Sequence, residues 1–143
     1  MANFYISVNV QRLVMLESKG CCEYCLSQSD FSTDSFQFDH IIPVSKNGLP
    51  VFENLAYCCG GCNGFKHKKT ESLDPLTNQI TKLFHPRKDT WIEHFQWSVD
   101  ELFIEGITSN GRATVELLKL NRKGNLNLRR LLKSAGLHPP FRM

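Results

Sequence analysis

The 143-residue sequence contains no apolar run that approaches the ~20 residues a membrane-spanning helix needs. Residues 1–19 lack the basic start, apolar stretch and small-residue cleavage site of a secretory signal. Internal repeats and low-complexity tracts are missing as well. These absences argue against a membrane partner and against secretion. We therefore expect a cytoplasmic protein that forms a single domain over residues 1–143.

The net charge is only +3 at pH 7, which is too small to indicate a nucleic-acid partner by itself. Its distribution is more informative, because residues 117–143 contain no acidic residue and seven basic ones: Lys119, Arg122, Lys123, Arg129, Arg130, Lys133 and Arg142. A basic face can neutralise phosphates, and its binding then weakens as salt rises. A solvated helix face explains the same charges equally well. Arg129 and Arg130 are the candidates for contact with DNA.

Local patterns predict helices at both ends of the chain and short strands between them, which makes an α+β protein. Ser7 is a suitable cap for a helix from about Val8 to Lys19, whose apolar face comprises Val8, Leu13 and Leu16 with nearby Val10 and Val14. The patterns further predict strands at 36–42 and 80–84, a hairpin from 95–98 and 102–107, and helices at about 62–69, 111–120 and 125–136.

Six cysteines in a cytoplasmic chain are expected to stay reduced, so a disulfide framework is a poor explanation for them. Four of them form two CxxC pairs, Cys22 with Cys25 and Cys59 with Cys62. This spacing lets both thiols of a pair reach one zinc ion at ~2.3 Å, and two pairs complete a closed tetrahedral site. We therefore predict structural zinc. Free buried cysteines are the alternative, and a register in which Cys21 or Cys58 binds zinc stays open.

A series of short motifs lies between and after the two pairs: Asp39-His40-Ile41-Ile42-Pro43, Gly48, Glu53-Asn54-Leu55, and then Asn63 and Lys66. In this order, the residues from Cys22 to Lys69 resemble the zinc-containing branch of the HNH endonucleases, whose pattern is CxxC, DHIxP, NL and CxxCNxxK. The resemblance implies a small ββα-metal (HNH) core over about residues 20–70. The rest of the chain, about 71–143, looks like a mixed C-terminal extension that ends in helices and is carried by some bacterial HNH proteins.

The resemblance also implies a chemistry. His40 would be the general base that takes a proton from the attacking water, because an imidazole with an ordinary pKa of ~6.5 titrates near working pH. Asp39 and Asn63 would hold catalytic Mg²⁺, or Mn²⁺ or another divalent cation, through oxygen atoms. The cation would offset charge on the scissile phosphate and on the leaving 3′ oxygen. The products would carry a 5′-phosphate and a 3′-hydroxyl.

Other residues of the resemblance have less definite roles. Asn54 would hold the loop so that His40 points correctly, although an ordinary Asx turn would look the same. His67, four residues after Asn63, is a further metal ligand, a phosphate contact or an exposed residue, and these readings stay open. Three lysines are expected to meet the DNA backbone or solvent: Lys66, Lys68 and Lys69.

Together these features favour a metal-dependent DNA endonuclease that acts as a monomer or homodimer. The first alternative is a zinc-containing nucleic-acid-binding module that has lost cleavage. The second is a structural or protein-interaction zinc domain, for which the cysteine pairs alone would suffice. Asp39, His40 and Asn63 argue against both, since neither alternative needs a metal-bound acid beside a base. Nothing in the sequence separates DNA from RNA as the substrate.

Overall fold

A computed structural model describes residues 5–140, so Arg142 lies outside the described residues. Within this range the chain forms five α-helices: α1 Val8–Ser18, α2 Gly60–Lys66, α3 Trp91–His94, α4 Ser109–Leu118 and α5 Lys123–Ser134. It forms six strands: β1 Gln37–His40, β2 Leu55–Cys58, β3 Glu71–Leu73, β4 Ile80–Lys82, β5 Phe95–Trp97 and β6 Ile104–Gly106. The strands pair as three two-stranded antiparallel sheets. This mixture of helices and small sheets confirms the predicted α+β class.

The chain divides into two compact units. The first unit holds the described residues up to Thr70 together with His85–Lys88, and the second holds Glu71–Phe84 and the described residues from Asp89 onward. The division falls close to the predicted end of the core at about residue 70, except for the short segment 85–88. Whether residues 1–143 fold as a single domain stays a prediction. Across residues 5–140, no helix has the length and apolarity required to cross a membrane.

The centre of the first unit is a ββα arrangement. Strands β1 and β2 pair from Gln37 opposite Cys58 to His40 opposite Leu55, and α2 follows directly. We predicted α2 over about 62–69, but it begins at Gly60 and ends at Lys66. The Cys59 side chain accepts a hydrogen bond from the Cys62 amide and so starts the helix earlier. His67 has a φ of 51°, which ends the helix earlier too.

Helix α1 begins as predicted, because the Ser7 hydroxyl accepts a hydrogen bond from the Val10 amide at 3.2 Å. Of its predicted apolar face, Val14 is buried as expected, whereas Val8, Leu13 and Leu16 are exposed. Ser18, one helical turn after Val14, is the other buried residue of α1. Helix α1 packs against β2 and the turn before it through this narrow side, so most of its apolar surface faces outward.

The second unit contains two hairpins and three helices. The predicted hairpin near residue 100 is confirmed, with β5 and β6 paired from Phe95 opposite Gly106 to Trp97 opposite Ile104. Helices α4 and α5 each start two residues before their predicted positions. The β3–β4 hairpin pairs a strand we predicted, β4, with one we did not, β3. Its turn contains buried Asp74, which the guanidinium of Arg112 contacts at 2.8 and 3.0 Å.

Candidate active site

The two cysteine pairs meet in the first unit. The Sγ atoms of the four predicted ligands lie within 4.8 Å of one another: Cys22, Cys25, Cys59 and Cys62. A tetrahedral zinc site with Zn–S bonds of ~2.3 Å has sulfur atoms about 3.8 Å apart. The Cys25 and Cys59 sulfurs are 3.8 Å apart, so the cluster fits a structural zinc ion. Cys21 and Cys58 are buried but do not belong to the cluster.

The backbone of each CxxC segment turns toward its own first sulfur. The amide of Cys25 donates to the Cys22 sulfur, and the amide of Cys62 donates to the Cys59 sulfur, both at 3.5 Å. Burial raises the pKa of the Cys22 thiol well above its usual value. A zinc ion would reverse this effect, because thiols bind zinc as thiolates and release their protons.

A cavity of about 440 Å³ lies beside β1 and α2. Its lining includes four residues that the sequence predicted for catalysis or cation binding, Asp39, His40, Asn63 and His67, together with Lys68. The first two come from adjacent positions of β1, and Asn63 comes from α2. The hairpin and the helix therefore bring the predicted acid, base and amide to one place.

His40 is partly buried, and this burial lowers the pKa of the imidazole below its usual value. Asp39 acts in the opposite direction and raises it, while the Lys66 ammonium lowers it further. The uncharged form is therefore favoured at neutral pH, and that form accepts a proton. The His40 Nε2 atom is buried and has no hydrogen-bond partner among residues 5–140.

Asn54 holds the loop that follows His40. Its amide oxygen accepts a hydrogen bond from the Ile42 amide at 2.8 Å, and its amide nitrogen donates to the Ile42 and Leu49 carbonyls at 2.9 and 3.0 Å. The loop approaches so closely that a Cβ on Gly48 would lie 1.6 Å from the Ile42 carbonyl oxygen. These contacts are the loop bonds that the sequence predicted for Asn54, and they explain why glycine stands at position 48.

Asn63, in the middle of α2, and His67, the residue that follows the helix, also line the cavity. The Asn63 amide nitrogen donates to the Gln37 side chain, which leaves the Asn63 amide oxygen for another partner. An amide oxygen is a suitable ligand for a hard cation such as Mg²⁺. His67 is exposed and has left the helix, although its backbone amide still donates to the Asn63 carbonyl at 2.9 Å. The three readings of His67 stay open.

Residues 22–69 match the HNH endonuclease family model. This range begins at the first zinc ligand and includes the β1–β2 hairpin, α2 and every predicted catalytic residue. It confirms the HNH resemblance over about a third of the chain. HNH domains typically bind nucleic acid. A search of curated proteins found none that matches this chain.

Two predicted DNA contacts are contradicted by the structure. Lys66 lies inside the HNH segment, but its side chain is only 1% exposed and contacts Asp39. Arg129, in α5, is 4% exposed and donates to the Leu102 and Leu120 carbonyls at 2.9 and 2.7 Å. Neither cation faces solvent, so neither is placed to meet a phosphate. The other three candidates are exposed: Lys68, Lys69 and Arg130.

Two residues with no role in the sequence analysis make buried contacts in the HNH segment. Tyr24 lies between two zinc ligands, and its hydroxyl donates to Asp39 at 2.7 Å. Arg87, from the segment 85–88 outside the family match, donates twice to buried Glu23 at 2.8 and 2.6 Å. Tyr24 could have been suspected from its place inside a CxxC pair. No local pattern indicates that Arg87 returns to the HNH core.

Proposed function

We propose that this chain is a metal-dependent HNH endonuclease that hydrolyses phosphodiester bonds in DNA. The observation that carries the proposal is the shared cavity of Asp39, His40 and Asn63 inside the matched segment. An acid, a neutral imidazole and an amide oxygen are the groups that one-metal phosphodiester hydrolysis requires. A zinc cluster alone would need none of them.

His40 acts as the general base in this proposal. Its lowered pKa favours the neutral ring at working pH, and the neutral imidazole is the form that accepts a proton. Asn54 supports this role indirectly, because it fixes the loop that begins two residues after His40. We therefore assign Asn54 to positioning and His40 to proton transfer.

Asp39 and Asn63 are the proposed ligands of the catalytic cation. The cluster of cysteines is the one group of three or more His, Cys, Asp or Glu ligands among the described residues, so a cation here would depend on few protein ligands. That sparseness fits Mg²⁺ or Mn²⁺, which usually keep several waters. When bound, the cation would stabilise charge that develops on the phosphate and the leaving oxygen. His67 is the further candidate ligand.

The exposed cations Lys68, Lys69 and Arg130 are the proposed contacts to the nucleic-acid backbone. Lys68 has the strongest case, because it lines the same cavity as His40. Under this proposal, one chain has one active site. A double-strand break would therefore need a homodimer or two successive nicks.

A second candidate function is a nucleic-acid-binding zinc module without cleavage. The observation in its favour is the burial of Asp39, which is 3% exposed and already contacts Tyr24 and Lys66. An Asp39 that served only this buried network would not need a cation. The protein would then bind nucleic acid without cleaving it.

Plasmid cleavage by the purified protein separates the two functions. Supercoiled DNA is incubated with zinc-loaded protein and Mg²⁺, Mn²⁺ or EDTA, beside the His40→Ala variant and a parallel single-stranded RNA substrate. We expect metal-dependent nicking that His40→Ala loses while it keeps its zinc content and melting temperature. Near wild-type cleavage by His40→Ala would remove His40 as the base. Cleavage of the RNA but not of the plasmid would show that the substrate is RNA and not DNA.

A further inference from the structure

Asp39 is the centre of a buried network that the proposed chemistry does not by itself require. The Tyr24 hydroxyl donates to Asp39 Oδ2 at 2.7 Å. The Lys66 ammonium lies 3.1 Å from Oδ2 and 3.3 Å from Oδ1. All three side chains are almost fully buried. Two independent donors from different parts of the chain therefore hold one carboxylate.

Lys66 also holds the backbone beside the proposed base. Its ammonium donates to the Ile41 carbonyl at 3.0 Å and to the His40 carbonyl at 3.4 Å. An ammonium has three protons, and these contacts together with Asp39 use all of them. A solvent-exposed lysine would be too mobile to fix the end of β1 in this way. Lys66 thus connects the orientation of Asp39 to the backbone position of His40.

The two donors come from the two zinc-binding segments. Tyr24 lies between Cys22 and Cys25, so its backbone is fixed by the first pair of ligands. Lys66 is the last residue of α2, which begins at the second pair and has Cys59 as its cap. A zinc ion held by the four cysteines would therefore constrain the backbone that carries both donors.

These contacts do not use all the acceptor sites of the Asp39 carboxylate. A carboxylate offers about four acceptor sites, two on each oxygen. Tyr24 occupies one site on Oδ2, and Lys66 occupies one on Oδ1. The second site of each oxygen remains. Because Asp39 also lines the cavity, this remaining acceptor capacity is what a cation could use.

We propose that Tyr24 and Lys66 are positioning residues that hold Asp39 in its cation-binding orientation, on a framework set by the zinc cluster. The inference rests on the proposed function, because it takes Asp39 as a cation ligand. A carboxylate that rotated freely would be competent for only part of the time. Its apparent cation affinity would then fall in proportion to that fraction.

The test measures Mn²⁺ binding to the full-length, zinc-loaded protein by electron paramagnetic resonance of free Mn²⁺, without nucleic acid. Tyr24→Phe removes the hydroxyl and keeps the ring. Tyr57→Phe is the matched control, because Tyr57 lies in the same unit and its ring packs on Phe36 and Phe38. We expect Tyr24→Phe to weaken Mn²⁺ binding about 10–100-fold, as loss of an outer partner of a metal ligand typically does. Tyr57→Phe should bind Mn²⁺ like the wild type.

Each outcome has a separate meaning. Unchanged Mn²⁺ affinity in folded Tyr24→Phe, with binding still abolished by Asp39→Asn, overturns the positioning role and leaves the cation site in place. Binding that survives Asp39→Asn removes the cation site and the positioning role together. Absence of plasmid cleavage, with the expected Mn²⁺ pattern, removes the nuclease function but supports the positioning role.

A kinetic measurement covers the case in which Tyr24→Phe is partly unfolded. Plasmid nicking is followed as a function of Mn²⁺ concentration. A positioning role raises the Mn²⁺ concentration at half-maximal rate and preserves most of the maximal rate. A purely structural role lowers the maximal rate with the folded fraction and leaves the half-saturating concentration unchanged. The second pattern would overturn the inference.

Discussion

Replacement of Arg87 by alanine should destabilise the first unit strongly. The guanidinium forms a two-pronged ion pair with Glu23, donates to the Phe52 carbonyl at 3.3 Å and lies 4.8 Å above the Phe52 ring. The side chains of Arg87 and Glu23 are 6% and 4% exposed, so the substitution leaves a buried carboxylate without its counter-charge. Breaking a buried pair in this way costs about 3–5 kcal/mol. Against a typical net stability of about 5–15 kcal/mol, this is a large fraction.

The assay must report on the first unit specifically. Both tryptophans, Trp91 and Trp97, belong to the second unit, so tryptophan fluorescence does not follow the zinc cluster directly. We would instead measure zinc release to a coloured chelator during thermal unfolding and record tryptophan fluorescence in parallel. Arg87→Ala should lower the temperature of zinc release by roughly 10 °C. Coincident shifts in both signals would support a single cooperative domain, and a shift in zinc release alone would contradict it.

Two further variants make the Arg87 prediction refutable. Arg130→Ala removes an exposed arginine that bonds Asn127 at 3.2 Å, and it should change stability by less than about 0.5 kcal/mol. The pair Glu23→Gln with Arg87→Leu removes both charges and keeps an acceptor for the Tyr57 amide, which Glu23 binds at 2.8 Å. This double variant should recover much of the stability that Arg87→Ala loses. If Arg87→Ala behaves like Arg130→Ala, the buried ion pair contributes no more than a surface pair and the reasoning fails.

Three other predictions follow from the described contacts. Cys25→Ser should lower the zinc stoichiometry and the melting temperature, while Cys21→Ser should keep full zinc; equal metal content in both proteins would show that the cluster is misassigned. Arg130→Ala should reduce the slope of log affinity for DNA against log salt by about one. Arg129→Ala should reduce stability, and a change in slope without a loss of stability would mean that the residue contacts DNA after all. The guanidinium of Arg112 holds the pKa of the Asp74 carboxyl well below its usual value. The stabilisation by this ion pair is therefore present above the unfolded-state pKa of ~3.9 and is lost as the pH falls below that value. The melting temperatures of wild type and Asp74→Asn should therefore differ at pH 7 and converge in acid, and a constant difference would contradict this assignment.

Much of the first unit could be predicted because its signals are local. The Ser7 cap, the CxxC spacing and the strand that carries Asp39 and His40 each depend on residues a few positions apart. The four cysteines converge as the two CxxC pairs predicted, in a cluster that fits one zinc ion. The loop bonds of Asn54 followed from the family pattern. For these features, residues close together in the sequence both form the element and determine its position.

The basic residues were harder to place because their partners lie far away in the sequence. Lysine and arginine are seldom fully buried, so a sequence pattern favours a surface role for them. Lys66 meets Asp39 across 27 residues, and Arg129 meets Leu102 across the same separation. No pattern within α2 or α5 indicates that a distant residue supplies a buried acceptor for these side chains. Strand β3 was missed for a related reason, since three residues carry too short a pattern to indicate a strand.

The four residues of the first CxxC segment connect features that the sequence suggested only separately. Cys22 and Cys25 belong to the zinc cluster, Glu23 binds Arg87 across 64 residues, and Tyr24 binds Asp39. Successive side chains of one tight turn point to different sides, so a single turn can contribute to the cysteine cluster, bind the segment 85–88 and contact Asp39 at once. The matched HNH segment ends at residue 69 and does not include Arg87. A fragment cut at that boundary would leave the Glu23 carboxylate without its counter-charge between the two cysteines, and the same turn carries the residue that holds Asp39. On the positioning role proposed for Tyr24, loss of the segment 85–88 would therefore weaken zinc retention and cation binding together, although Arg87 contacts neither site.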